Sequence, residues 1–120
     1  MEETIQFRPG STIIKQGDPS DGLYILKKGA VEVFKDDVML NVLMYPGTVF
    51  GEIGELLDKP RTCMVRARTP TTVVRYRCDS IETLVREHPE VGVQIMQTLA
   101  NRLEITTQKL ADLSQTAQRP

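Results

Sequence analysis

Residues 50–65, FGEIGELLDKPRTCMV, break a row of strand-like runs with a short helical one, and the reading of the chain turns on that break. The runs around it are rich in β-branched and aromatic residues: TIQF (4–7), TIIK (12–15), GLYILKK (22–28), AVEVFK (30–35), VMLNVLMY (38–45), TCMVRAR (62–68) and TTVVRYR (71–77). Turn-forming residues separate them, at Pro9-Gly10, Gly17-Asp18-Pro19, Asp21-Gly22, Gly29, Asp36-Asp37 and Pro46-Gly47. No crossover of a dozen helical residues fits between the strands, so the pattern predicts an antiparallel sandwich, barrel or roll. Within the break, a helix starting near Glu52, with Gly51 allowing close backbone approach, presents unpaired N–H groups that suit an anion. Arg61, nine residues on from Glu52 and behind Pro60, can bring a planar guanidinium to the same point. An ionised Glu52 only accepts hydrogen bonds, so beside a phosphate it calls for a hydroxyl donor such as a sugar OH. The residue types alone leave a second reading open, a surface ion pair between Glu52 and Arg61 worth at most about 1 kcal/mol.

After Cys78 the period changes. Asp79 or Ser80 can cap a helix over SIETLVREH (80–88), and Pro89 ends it and starts another. In the second helix Met96, Leu99, Leu103, Thr106, Leu110 and Leu113 recur at alternating steps of three and four, the seam of a coiled coil. Such a face is either a lid on its own β core or a dimer contact. Thr106 is a hydroxyl where the pattern asks for Leu or Ile, so it either sets register or faces a polar ligand. The terminal QTAQRP is expected to fray.

Composition narrows the function classes. The chain has 120 residues, 40% hydrophobic and 26% charged, with a formal net charge of −1, which predicts one folded domain over 1–120 and excludes nucleic-acid binding through a bulk basic field. No run of about 18 apolar residues is present and the N-terminus is acidic, so neither a membrane partner nor a signal peptide is expected and the cytoplasm is the expected location. Two cysteines and one histidine cannot supply an ordinary zinc or iron–sulfur set, so no metal and no catalytic residue is expected, and an enzyme of cupin type lacks its histidines. His88 is read as a helix-end residue rather than a haem ligand. Cys63 is read as a small buried thiol, Cys78 as structural, and Met39, Met44, Met64 and Met96 as core fillers.

FGEIGELLDKPRTCMV closely resembles the phosphate-binding cassette of cyclic nucleotide-binding domains, which opens Phe-Gly-Glu, continues with an aliphatic and a small residue, and closes on Pro-Arg followed by small residues and Val. FRPGSTIIKQGDPSDGLYILKKGAVEVF (7–34) is similar to the opening strands of that family, and the resemblance extends from about Ile5 to about Leu113. It implies a mainly β, α+β fold: a double-stranded, jelly-roll-like antiparallel β-roll of eight strands over about 4–77, a short cassette helix, and C-terminal helices over about 79–114. It further implies that Glu52 takes a ribose 2′-OH and Arg61 the exocyclic phosphate oxygens. Gly51 and Ile53 would line the cassette helix, and backbone N–H groups of Thr62 and Cys63 with the Thr62 hydroxyl would complete the cradle. NRLEITTQKLADL (101–113) is similar to the dimer helix of bacterial catabolite activators, which implies that Thr106 and Thr107 offer hydroxyls to the base, one from each subunit of a homodimer. The expected ligand is cAMP ahead of cGMP, with no further cofactor, and the domain is expected to act as a regulatory sensor. The alternative from a different class is a roll that has lost its ligand and serves dimerisation or protein interaction, with Glu52 and Arg61 paired to each other. Glu55, Cys63 and Met64 depart from the family pattern, the first standing where an apolar residue is usual. No helix-turn-helix follows Leu113, so direct contact with nucleic acid is not expected.

Overall fold

The computed structural model describes the backbone of residues 2–118 and the side chains of residues 2–115. Eight strands and three helices follow in the order β1 (Glu2–Phe7), β2 (Thr12–Ile14), β3 (Leu23–Lys28), β4 (Val31–Lys35), β5 (Val38–Leu43), β6 (Val49–Phe50), α1 (Glu52–Leu57), β7 (Met64–Ala67), β8 (Thr71–Tyr76), α2 (Ile81–Glu87) and α3 (Pro89–Gln118). All strand pairs are antiparallel and form two four-stranded sheets, in the orders β1-β8-β3-β6 and β2-β7-β4-β5. This is the expected double-sheeted β-roll with a short helix after β6 and two helices at the C-terminal end. The strand row begins at Glu2 rather than Thr4, because Glu2 and Glu3 pair with Tyr76 and Arg75 of β8. β6 is absent from the row of seven runs because two residues are too short to show a period.

Leu23–Leu26 of β3 is buried on both faces of the first sheet, and this explains why β3 reads as an unbroken apolar run instead of an alternating one. Tyr24 and Leu26 point between the sheets, where they pack with Ile14, Val31, Phe50, Val65 and Val73. Leu23 and Ile25 point the other way and join Val49, Val74 and Tyr76 under Leu84 of α2 and Val91 and Ile95 of α3. Each strand residue thus chooses a layer by parity alone.

The helices start where the sequence places them, with details decided by side chains. Ser80, not Asp79, caps α2, its hydroxyl accepting from the Thr83 N–H at 3.1 Å. His88 closes α2 with its N–H on the Leu84 carbonyl, and its ring meets Tyr76 edge-on at 5.1 Å. α3 then runs to Gln118, past the expected end at about 114, so the first four residues of the QTAQRP (115–120) expected to fray are helical; 119–120 lie outside the described residues. The methionines correct the core expectation: Met39, Met44 and Met96 are exposed and Met64 is partly exposed, because β5 is a sheet edge and Met96 faces outward from α3. β6 is an edge of the first sheet, and α3 packs against it. The Val49 N–H donates to the Thr98 hydroxyl at 3.4 Å and the Val49 carbonyl accepts from Arg102 at 2.6 Å.

Candidate functional site

Between the second sheet, α1 and α3 lies a cavity of about 310 Å³. Gly51, Glu52, Ile53, Arg61, Thr62, Cys63 and Thr106 all line it, so seven of the eight residues expected at the site meet there. Thr107 does not line it; it is exposed on α3. The remaining wall is apolar, from Ile14, Val33, Leu40, Leu43, Phe50, Val65 and Ile105, with Asn41 and Lys109 adding polar groups.

Local sequence dictates the entry to α1. Gly51 adopts φ 77°, a left-handed conformation, at the helix N-cap. A Cβ there would come within 2.9 Å of Arg61 Nη1 and 3.0 Å of Ile14 Cδ1, so glycine is required by both backbone and space. Glu52 follows in the first turn and is carried inward to 1% exposure. Glu55 faces elsewhere. It accepts from the Ser20 hydroxyl at 2.5 Å and lines a separate polar cleft, so Glu52 and Glu55 do not share one side of the helix as a pair of acids would need to.

Arg61 is buried at 5% exposure and well anchored. Its Nη1 donates to the Gly51 carbonyl at 2.6 Å, while Nη2 donates to the Gly22 carbonyl at 2.6 Å and to Asp21 Oδ1 at 2.7 Å. Its guanidinium carbon lies 5.9 Å from the centre of the Tyr24 ring, which itself stacks on Phe50 at 5.3 Å. Burial opposes ionisation of Asp21, but the hydrogen bond and charge of Arg61, with Tyr24 and Arg75 behind them, hold its carboxyl below the usual carboxylate range.

Glu52 and Arg61 take separate partners. Glu52 Oε1 accepts from Arg102 of α3, which also donates to the Val49 carbonyl. Glu52 Oε2 is buried and has no hydrogen-bond partner. A buried carboxylate oxygen without a donor is costly, by about 1–3 kcal/mol or more when charged, so this atom is where a hydroxyl-bearing guest has most to offer. Arg102 escaped the sequence reading, although it stands four residues before Thr106 and seven before Lys109 and so shares their helix face. Asp21 escaped it too. Among the described residues no group of His, Cys, Asp and Glu could hold a metal ion, and no helix is long and apolar enough to cross a membrane.

Residues 4–88 match the family model of the cyclic nucleotide-binding domain. The chain is 42% identical over 84 residues to a cAMP-dependent protein kinase regulatory subunit of Emericella nidulans, covering 69% of this chain and 20% of that protein. It is 32% identical over 115 residues to a CRP-like cAMP-activated global transcriptional regulator of Mycobacterium tuberculosis, covering 92% of this chain and 51% of that one. The solved catabolite activator protein of Thermus thermophilus superposes with a TM-score of 0.76 at 27% identity, over 94% of this chain and 55% of that structure. The chain therefore spans about a fifth and about half of the length of these two curated relatives.

Proposed function

Because the chain belongs to the cyclic nucleotide-binding domain family and is related to cAMP-binding regulators, we propose that it binds cAMP, ahead of cGMP, in the cavity beneath α3 and acts as a non-catalytic sensor. The observation that carries this reading is Glu52, almost fully buried, with one carboxylate oxygen unpartnered in a cavity that Arg61 also lines. Glu52 Oε2 accepts the ribose 2′-OH. Arg61 has five N–H donors and spends only three on protein oxygens, which leaves donors for the exocyclic phosphate oxygens. Backbone N–H groups of the cassette, from Gly51 to Ile53 and at Thr62 and Cys63, cradle the same phosphate with the Thr62 hydroxyl. The base then falls toward α3, where the Thr106 hydroxyl meets the adenine edge and Thr107 is offered to the site of a second copy paired along α3.

Binding is read out through α3. Arg102 ties that helix both to Glu52 and to the backbone of β6, so a ribose hydroxyl that engages Glu52 competes with or reinforces this tie. The ligand shifts the position of α3 by its differential affinity for the two arrangements. The reading of the roll as ligand-free had Glu52 and Arg61 neutralising each other; they instead pair with Arg102 and Asp21.

Calorimetry with cAMP, cGMP and AMP tests this directly. Wild type binds cAMP most tightly and AMP least, and Arg61→Ala weakens cAMP binding by about 2–5 kcal/mol because the phosphate charge loses its partner. An affinity unchanged by Arg61→Ala, or no heat with any of the three ligands, rejects the proposal.

A further inference from the structure

The same cavity holds a nucleophile that nucleotide binding leaves unused. Cys63 is a free thiol of intermediate exposure, and its Sγ accepts only a long contact, 3.8 Å, from the Thr62 hydroxyl. Its backbone serves the cradle, whereas its side chain lines the space where a guest sits. Two features mark that space as built for a polar guest. Glu52 Oε2 is buried without a donor and calls for an N–H or O–H group, and the cations Arg61, Arg102 and Lys109 line the same space, Arg61 paired to Asp21 and Arg102 to Glu52. Cations beside a cavity concentrate anions in it.

We infer that Cys63 is a modification site for small anionic disulfides of the glutathione class, and that the mixed disulfide occupies the cyclic nucleotide's room. This rests on the nucleotide reading given above. In the step, the Cys63 thiol gives its proton to solvent and the thiolate attacks one sulfur of the disulfide. The Cys63 S–S bond forms as the original S–S bond breaks, and the second half leaves as a thiolate that takes a proton from water. Cys63 is oxidised and the departing half is reduced, so no further oxidant is needed. A reducing thiol reverses the exchange. Cyclic nucleotide affinity thereby becomes conditional on the redox state of the small-thiol pool, with the blocked state lasting until a thiol clears it.

Cys78 serves as the internal control, since it lines the separate cleft of about 700 Å³ on the far side of α1. The full chain is incubated with glutathione disulfide or, in parallel, with the cationic disulfide cystamine. Both cysteines are followed by peptide mass mapping, and cAMP binding is measured before treatment, after it, and after added dithiothreitol. The expected results are faster labelling of Cys63 by the anionic reagent and protection of Cys63, but not Cys78, by cAMP. Modification raises the Kd for cAMP about tenfold or more, and reduction restores it. In Cys63→Ala the ratio of treated to untreated Kd stays near one while Cys78 is still labelled. Failure of Cys63 to react in the folded protein, equal rates with both reagents, or full cAMP affinity in the modified chain overturns the inference. If the reduced chain binds no cyclic nucleotide, the function proposed above fails; the thiol assignment is then judged on labelling of Cys63 and its charge preference, and falls if either is missing.

Discussion

At the scale of single residues, Glu52 and Gly51 carry different kinds of consequence. Glu52 lies in the cavity with one oxygen held by Arg102 and the other waiting for a donor, so its contribution to binding is specific to a hydroxyl. The natural probe is a ligand that lacks that hydroxyl. Wild type is expected to prefer cAMP to 2′-deoxy-cAMP by about 1.5–3 kcal/mol, the range of a hydrogen bond to a charged group. In Glu52→Gln the preference shrinks to about 1 kcal/mol or less, because the acceptor is neutral and one of its two positions becomes a donor. Calorimetry on the four pairings reads it, and an undiminished preference in the variant places the 2′-OH elsewhere. Gly51 acts on the fold instead. Alanine at φ 77°, with its methyl 2.9 Å from Arg61 Nη1, must either unwind the start of α1 or push the guanidinium off the Gly51 carbonyl. Gly51→Ala is expected to cost about 1–3 kcal/mol of stability in urea unfolding. A loss below about 0.5 kcal/mol, the size of an ordinary surface change, contradicts it.

Elements show why some of the site was legible in the sequence and some was not. The cassette was readable because Glu52, Arg61 and the glycine between β6 and α1 act within one short segment, so their spacing encodes their geometry. Thr106 was visible as a polar break in an apolar seam. Asp21 was not, since its bond to Arg61 spans 40 residues and depends on how β3 is laid beside the cassette, which no local period records. The methionines misled because hydrophobicity ranks them for the core while topology puts β5 at an edge and turns one face of α3 outward. That outward face is the feature of α3 that asks for a partner. Met96, Leu103, Leu110 and Leu113 are all more than 60% exposed, and Leu99 continues the row. A second copy laid along this row buries each leucine for about 1.5–3 kcal/mol. Sedimentation velocity is expected to show a concentration-dependent dimer, and Leu110→Glu, which removes an exposed side chain outside the cavity lining, is expected to return it to monomer. A wild-type chain that stays monomeric at high concentration refutes the pairing.

Across the whole molecule, charge links the first strand to the phosphate arginine. Glu3 of β1 pairs with Arg75 of β8, Arg75 reaches Asp21 Oδ2 at 3.2 Å, and Asp21 Oδ1 holds Arg61 at 2.7 Å, so one chain of ion pairs joins the sheet edge to the cassette. Asp21 is the hinge of this chain and also takes the Tyr24 hydroxyl, at 3.2 and 3.3 Å to its two oxygens. Its carboxyl titrates below the ordinary value of 3.8 because Arg61's hydrogen bond and charge outweigh the opposing effect of burial. A carboxylate whose folded-state pKa is depressed stabilises the fold at pH values above the unfolded pKa and loses that contribution as pH falls through the folded one. The gap in melting temperature between wild type and Asp21→Asn is therefore expected to be constant from neutral pH to about 5, and to close as pH drops below about 4. Asparagine keeps the size and one acceptor but never titrates, so the closing gap reports Asp21 and not the other acids of the chain. Melts followed by circular dichroism between about pH 3 and 7 measure it, in low salt so that the partly exposed carboxylate is not screened. A gap that holds its width down to pH 3, or that opens as the solution is acidified, means that Asp21 does not stabilise the fold through its charge and that Arg61 is held by the Gly22 and Gly51 carbonyls alone.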